Sequence, residues 1–142
     1  MSGPRWIPTM LLITAFQLIS FAQVIFVEDG INYFAATIAF CRRLGIDYRE
    51  IERAPGVADG THFWILVNIG TADEPAWYHY DATHVRSTFG YKACLLTDQQ
   101  IRAFDRYRTS RNESLFYGYN AGSNPASSKV VITPIKELEP YF

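Results

Sequence analysis

An α+β fold, with a central helix packed on an antiparallel β-sheet, is what this sequence predicts, and three observations carry the prediction. Residues 29–47, "DGINYFAATIAFCRRLGID", bring Phe34, Ile38, Cys41 and Leu44 back at helical spacing. Two aromatic-rich, β-branched runs follow, "HFWILVNI" (62–69) and "AWYHYDAT" (76–83), each of strand length. A second helical stretch, "TDQQIRAFDRYR" (97–108), comes after them. With "YREIER" (48–53) as a further strand, the order is helix, three strands, helix. Strands that run consecutively favour antiparallel pairing with the helices laid against the sheet.

Each element carries its own punctuation. Asp29 can cap the first helix, and Arg42 and Arg43 fall in its last turn, where cations suit the helix dipole. Gly45 ends it. "APGVADG" (54–60) reads as a loop, and "GTADEP" (70–75) as a connection long for a tight hairpin. Thr97 can cap the second helix, with Gln100 three residues on as its capping-box partner. Beyond it, "GYNAGSNPASS" (118–128) is loop-like, and "KVVITPIKELEPYF" (129–142) offers one short strand before a Pro-bounded end.

The chain divides into an apolar segment over residues 1–27, a core over 28–108 and a loop-rich extension over 109–142. Residues 7–27 contain no charge in 21 positions, enough to span a bilayer at about 1.5 Å per residue. Arg5 before them and Glu28–Asp29 after them would leave the amino end inside. Gln17, Ser20 and Gln23 dilute the run and keep a buried helix or strand as the alternative to a membrane anchor.

A length of 142 residues suits one domain, and 49% apolar residues suffice for its core. A net charge of −1 gives no global field to attract nucleic acid. Arg102, Arg106, Arg108 and Arg111 read as a solvated helix face. Cys41 and Cys94 have no metal-site spacing, and the three histidines add none, so neither metal nor cofactor is expected. The two cysteines are expected as buried free thiols, with a disulfide as the alternative in an oxidising compartment.

The candidate chemistry lies where the two aromatic strands meet. His62 opens the first and Asp81 closes the second, so antiparallel pairing sets them side by side. A carboxylate there accepts an imidazole N–H and settles which ring nitrogen is basic. Such a histidine normally serves a nucleophile, for which a cysteine at a helix N-terminus is suited because the helix stabilises its thiolate. His79 shares a strand face with Asp81 and is expected at the strand surface or supporting the site from behind, and His84 is expected in a loop. Trp64, Trp77 and Tyr80 are expected in the core and along a substrate groove.

Over about residues 28–108 the chain resembles the transglutaminase-like superfamily, a papain-like fold with a Cys-His-Asp triad. The residues that carry the resemblance are Tyr33, Ala35, Ala36, Arg42 and Gly45–Ile46 in the first helix, then His62-Phe63-Trp64, then Trp77 and Asp81-Ala82-Thr83. "WYHYDAT" followed by "LLTDQQIRAFD" resembles extracytoplasmic members from Gram-positive bacteria most. The resemblance implies thiol-dependent acyl transfer or amide hydrolysis, a peptide or protein substrate, a cell-wall setting and no cofactor.

One position departs from that pattern. Aligned on Tyr33 and Gly45–Ile46, the place of the nucleophilic cysteine falls on Gly30, within "EDG". Cys41 lies eleven residues further on, about 16 Å along the helix, out of reach of an imidazole at the helix start. Cys94 precedes the second helix outside the motif, and Ser20 and Thr37 are no better placed. The chain then reads as a pseudoenzyme that keeps the His62–Asp81 pair, or as one whose segment before Tyr33 has diverged. Two other functions stay open: a cell-wall peptide or glycan binding module built on the same groove, and a hydrolase that uses His62, Asp81 and a bound water.

Overall fold

The computed structural model describes residues 30–55, 61–83, 93–109 and 117–142. The apolar segment 7–27, the Asp29 cap, His84 and Arg111 lie outside the described residues. Among the described residues, no helix is long and apolar enough to cross a membrane.

The architecture is α+β. Helix α1 (Gly30–Leu44) leads into strands β1 (Tyr48–Glu52), β2 (Phe63–Asn68), β3 (Trp77–Tyr80) and β4 (Cys94–Leu96), and helix α2 (Asp98–Thr109) follows. The four strands form one antiparallel sheet in sequence order, with Ile51 opposite Trp64, Leu66 opposite His79 and His79 opposite Leu96. Gly45 ends α1 in the left-handed region, at φ +67, a conformation that costs glycine little. The amide of Ile46 then bonds back to the Cys41 carbonyl at 2.8 Å, satisfying a carbonyl the helix end would orphan.

The sheet is covered on both faces. On one, α1 lays Cys41, Tyr33, Phe34 and Ile38 against Ile65, Val67, Tyr78, Tyr80 and Leu95. On the other, Trp64, Leu66, Trp77 and Leu96 meet Ile101 and Phe104 of α2, with Tyr117, Ile135 and Leu138 from beyond the helix. A sheet buried on both sides needs apolar residues at successive positions. This is why "WILV" and "WYHY" show no polar alternation: every residue of β3 is buried, His79 included. Burial pushes the Cys41 thiol up to about 12. Both described cysteines are free, Cys41 buried and Cys94 half-buried.

Two elements differ from the sequence expectation. The sheet has a fourth strand, β4, in the stretch read only as the approach to the second helix, and Cys94 is its first residue. Three residues are too few to display a period. Its pairing is irregular as well: the register shifts between His79 and Tyr80, and Leu95 adopts φ +56. The bulge turns both Cys94 and Leu95 towards the α1 face. The second difference is the tail, which forms no strand. Lys136–Tyr141 is a 3-10 helix, and Val130 and Val131 are exposed. The Val130 carbonyl accepts from the Tyr78 hydroxyl at 2.9 Å, a side-chain partner in place of a neighbouring strand.

The β2–β3 connection closes on Asn68. Its side-chain oxygen accepts the amides of Gly70 (3.0 Å) and Ala76 (2.8 Å), and Thr71 N–H bonds the Glu74 carbonyl at 3.0 Å. A Cβ on residue 70 would fall on the Glu74 carbonyl oxygen and 2.7 Å from the Ala76 nitrogen. Gly70→Ala is therefore expected to destabilise the fold by about 1–3 kcal/mol. A urea midpoint unchanged from the parent would show that the turn relaxes freely.

Candidate functional site

The register of β2 and β3 builds the site. Opposing Ile65 to Tyr80 brings the residues just before β2 alongside those just after β3. His62 Nε2 consequently lies 2.8 Å from Asp81 Oδ2. A carboxylate only accepts, so the imidazole donates from Nε2, and Nδ1 is its basic nitrogen. Both residues are buried, His62 8% and Asp81 3% exposed.

Asp81 is held by more than the histidine. Tyr117 donates its hydroxyl to the same Oδ2 at 2.9 Å, and the Thr83 amide donates to Oδ1 at 2.8 Å. The Asp81 amide bonds the Ala93 carbonyl at 2.7 Å, continuing the β3–β4 ladder past the bulge. Both oxygens thus carry partners, as a buried carboxylate requires. Tyr117 comes from the loop-rich extension and has no motif around it, so nothing in the sequence singles it out.

A second imidazole–carboxylate pair lies on the same sheet face. His79 Nε2 is 2.6 Å from Asp98 Oδ1, the first residue of α2. Tyr119 also donates to Asp98, and Ser127 Oγ accepts the Asp98 amide at 2.6 Å. His79, expected at the strand surface or behind the site, is wholly buried. It is an interior residue because α2 and the extension cover this face. Burial by itself would raise the Asp98 carboxyl, but the hydrogen bonds from His79 and Tyr119 outweigh it and hold the group well below the ordinary carboxylate range. Burial, and then the bond to Asp98, push the Tyr119 hydroxyl above its usual value. The capping box forms as the sequence predicts: Gln100 N–H donates to Thr97 Oγ1 at 3.1 Å, and Thr97 N–H donates to Gln100 Oε1 at 3.0 Å.

Trp64 connects the two pairs. Its indole lies over His62 with ring centroids 5.8 Å apart and planes 24° apart, while its Nε1–H donates to His79 Nδ1 at 3.0 Å. Tyr117 and Tyr119 pack edge-on against the same indole, with centroids at 5.3 and 5.7 Å.

A narrow crevice, too tight to admit a water molecule, runs between α1 and the ends of β2 and β3, lined by Phe34, Thr37, Phe63, Trp64, Ile65, Tyr80, Asp81 and Ala82. Of the three expected groove aromatics, Trp64 and Tyr80 border it. Trp77 is at the other end of β3, opposite Asn68, under the Arg49 guanidinium 5.0 Å from its ring. Phe34 reaches Phe63, the neighbour of His62, with centroids 5.5 Å apart. Gly30, the first described residue of α1, is one turn before Phe34, about 6 Å along the axis. Among the described residues, no group of three or more His, Cys, Asp and Glu is placed to hold a metal.

Two outcomes are expected from this geometry. Tyr117→Phe removes a buried donor to a carboxylate and should cost about 1–2 kcal/mol in a urea titration; a parent-like midpoint would place the Tyr117 hydroxyl away from Asp81. The depressed Asp98 carboxyl contributes stability that is complete above its ordinary value of 3.8 and is lost as pH falls below it. Asp98→Asn should therefore be less stable at pH 7 and lose stability less steeply on acidification, as followed by thermal melts from pH 7 to 2.

No protein-family profile, curated protein or solved structure matches this chain, so the function must be argued from the residues of the site themselves.

Proposed function

We propose that this chain is a transglutaminase-like domain of the papain-like architecture whose nucleophile position, residue 30, has lost its thiol. The observation that supports this reading most is the buried His62 Nε2–Asp81 Oδ2 bond at 2.8 Å, at the matching ends of paired strands. The element order adds to it: a helix, then the strand of the histidine, then the strand of the aspartate, with Phe34 of α1 against Phe63 beside the imidazole.

In a site of this design that retains the cysteine, His62 Nδ1 would take the thiol proton and the thiolate would attack a glutamine side-chain amide or a peptide carbonyl. The S–C bond forms and gives a tetrahedral oxyanion. This collapses to a thioester as the C–N bond breaks and the imidazolium gives its proton to the departing ammonia or amine. An amine or water then takes the acyl group, again deprotonated by His62. Asp81 holds the ring and stabilises its cation throughout. Glycine at residue 30 supplies no sulfur, so this chain forms no thioester and the site binds without turning over. The ligand class is a peptide or protein presenting such an amide, in an extracytoplasmic, cell-wall setting, with residues 7–27 as the candidate anchor.

The binding-module reading shares this site. Trp64, Trp77 and Tyr80 are 1%, 7% and 1% exposed, so they offer no free stacking faces. A peptide or glycan would have to part α1 from the ends of β2 and β3, because the crevice between them is closed even to water.

The test uses the full chain with a glutamine-containing peptide and a labelled primary amine. No incorporation is expected from the parent protein, and robust incorporation would overturn the pseudoenzyme reading. Gly30→Cys should gain one rapidly alkylated thiol at residue 30, located by peptide mass mapping, because a helix-start thiol beside an imidazole ionises readily. Cys41, pushed up to about 12, should stay unmodified until the protein is denatured. Slow, ordinary alkylation at residue 30 would count against its facing His62.

A further inference from the structure

His79 is a buried titratable residue that the proposed chemistry does not use, and its partners determine its state. The indole Nε1–H of Trp64 can only donate, so His79 Nδ1, 3.0 Å away, must be an unprotonated acceptor. The carboxylate of Asp98 can only accept, so His79 Nε2, 2.6 Å away, carries the proton. The Tyr119 hydroxyl, within 3.3 Å of the same Nε2, spends its hydrogen on Asp98. His79 is therefore a neutral imidazole in one tautomer, selected from both sides.

The consequence reaches His62 through one ring. Trp64 has no other polar atom, and its indole is 1% exposed. Its rotation in the plane of the ring is set by where Nε1–H points. With Nε1 tied to His79, the flat face of the indole lies over the His62 imidazole at 5.8 Å, an offset-stacked distance. Asp81 holds His62 through Nε2, Tyr117 meets the ring edge-on with centroids 6.2 Å apart, and the indole is the ring stacked against its face.

We infer that His79 is a positioning residue: the Asp98–His79 pair anchors Trp64, and Trp64 sets the plane of the His62 ring. The two imidazole–carboxylate pairs then have different tasks. One presents a basic nitrogen, and the other keeps an aromatic wall in register behind it. Asp98 and Ser127 tie this wall to the start of α2 and to the extension, so residues beyond 109 bear on the orientation of His62. The inference deepens the reading of His62 as the imidazole of the site and takes its functional weight from that reading. Its own test reads the ring and not activity.

The experiment is nuclear magnetic resonance of the full chain labelled with ¹⁵N in histidine and in the tryptophan indole. In the parent protein, His79 should show an unprotonated Nδ1 and a protonated Nε2. The Trp64 indole proton should exchange slowly with solvent, and His62 should give one sharp tautomer. His79→Phe removes both bonds while filling the space. It should speed exchange of the Trp64 indole proton by about tenfold or more, as expected for loss of a buried hydrogen bond, and should shift or broaden the His62 nitrogens. His79→Asn keeps an acceptor near the place of Nδ1 and should restore most of the slow exchange and the single His62 signal.

A folded His79→Phe variant with unchanged His62 resonances would overturn the inference, and so would an Asn variant indistinguishable from Phe. If His79→Phe does not fold, the parent spectrum alone decides: a proton on His79 Nδ1, or a Trp64 indole proton exchanging as in denatured protein, refutes the anchor. These outcomes are separate from the alkylation of Gly30→Cys. The positioning can hold while the thiol ancestry fails, and the reverse.

Discussion

A carboxylate buried at the end of a strand is tolerated only if its lone pairs are answered, and the need to satisfy Asp81 organises much of this molecule. The imidazole of His62, the hydroxyl of Tyr117 and the amide of Thr83 all point at it. These donors come from three separate stretches of chain: the start of β2, the turn after β3 and the segment beyond α2. Removing one would leave an under-bonded charge in a low-dielectric interior. The carboxylate thus ties parts of the chain that hydrophobic contact alone would leave loosely registered, and the His62 ring is pinned as a result.

The same logic recurs one strand position away. Asp98 begins a helix, where its charge suits the dipole, and it gathers His79, Tyr119 and Ser127. Trp64 lies between the two clusters, stacked on one histidine and bonded to the other. Polar networks of this sort are worth having only when every member is satisfied. Here the single tautomer of His79 satisfies both neighbours, and the indole gains a fixed orientation.

Much of the fold could be read from the chain. Helical spacing in α1, the stop at Gly45, the three longer strands and the Thr97–Gln100 capping box rest on local periodicity or on side chains three residues apart, and such signals survive in any tertiary setting. The pairing of His62 with Asp81 was also legible, because antiparallel register follows from the lengths of β2, β3 and their connection. The fourth strand was not. "CLL" is too short to show a period, and its bulge at Leu95 breaks the alternation that would betray it. The tail forms no strand because β-branched residues signal one only when an edge is there to pair with. The Val130 carbonyl is instead taken by Tyr78.

The sequence by itself determined which side chains could carry chemistry and where along the chain they stood: the imidazole of His62 and the carboxylate of Asp81. Those are properties of residue type and spacing. Only the tertiary structure decided what surrounds them. That Tyr117 answers Asp81, that His79 is interior, and that Trp64 bridges two imidazoles all depend on α2 and residues 117–142 folding over the second face of the sheet. No local pattern encodes that closure, because it is driven by apolar area that becomes contiguous only after the strands have paired.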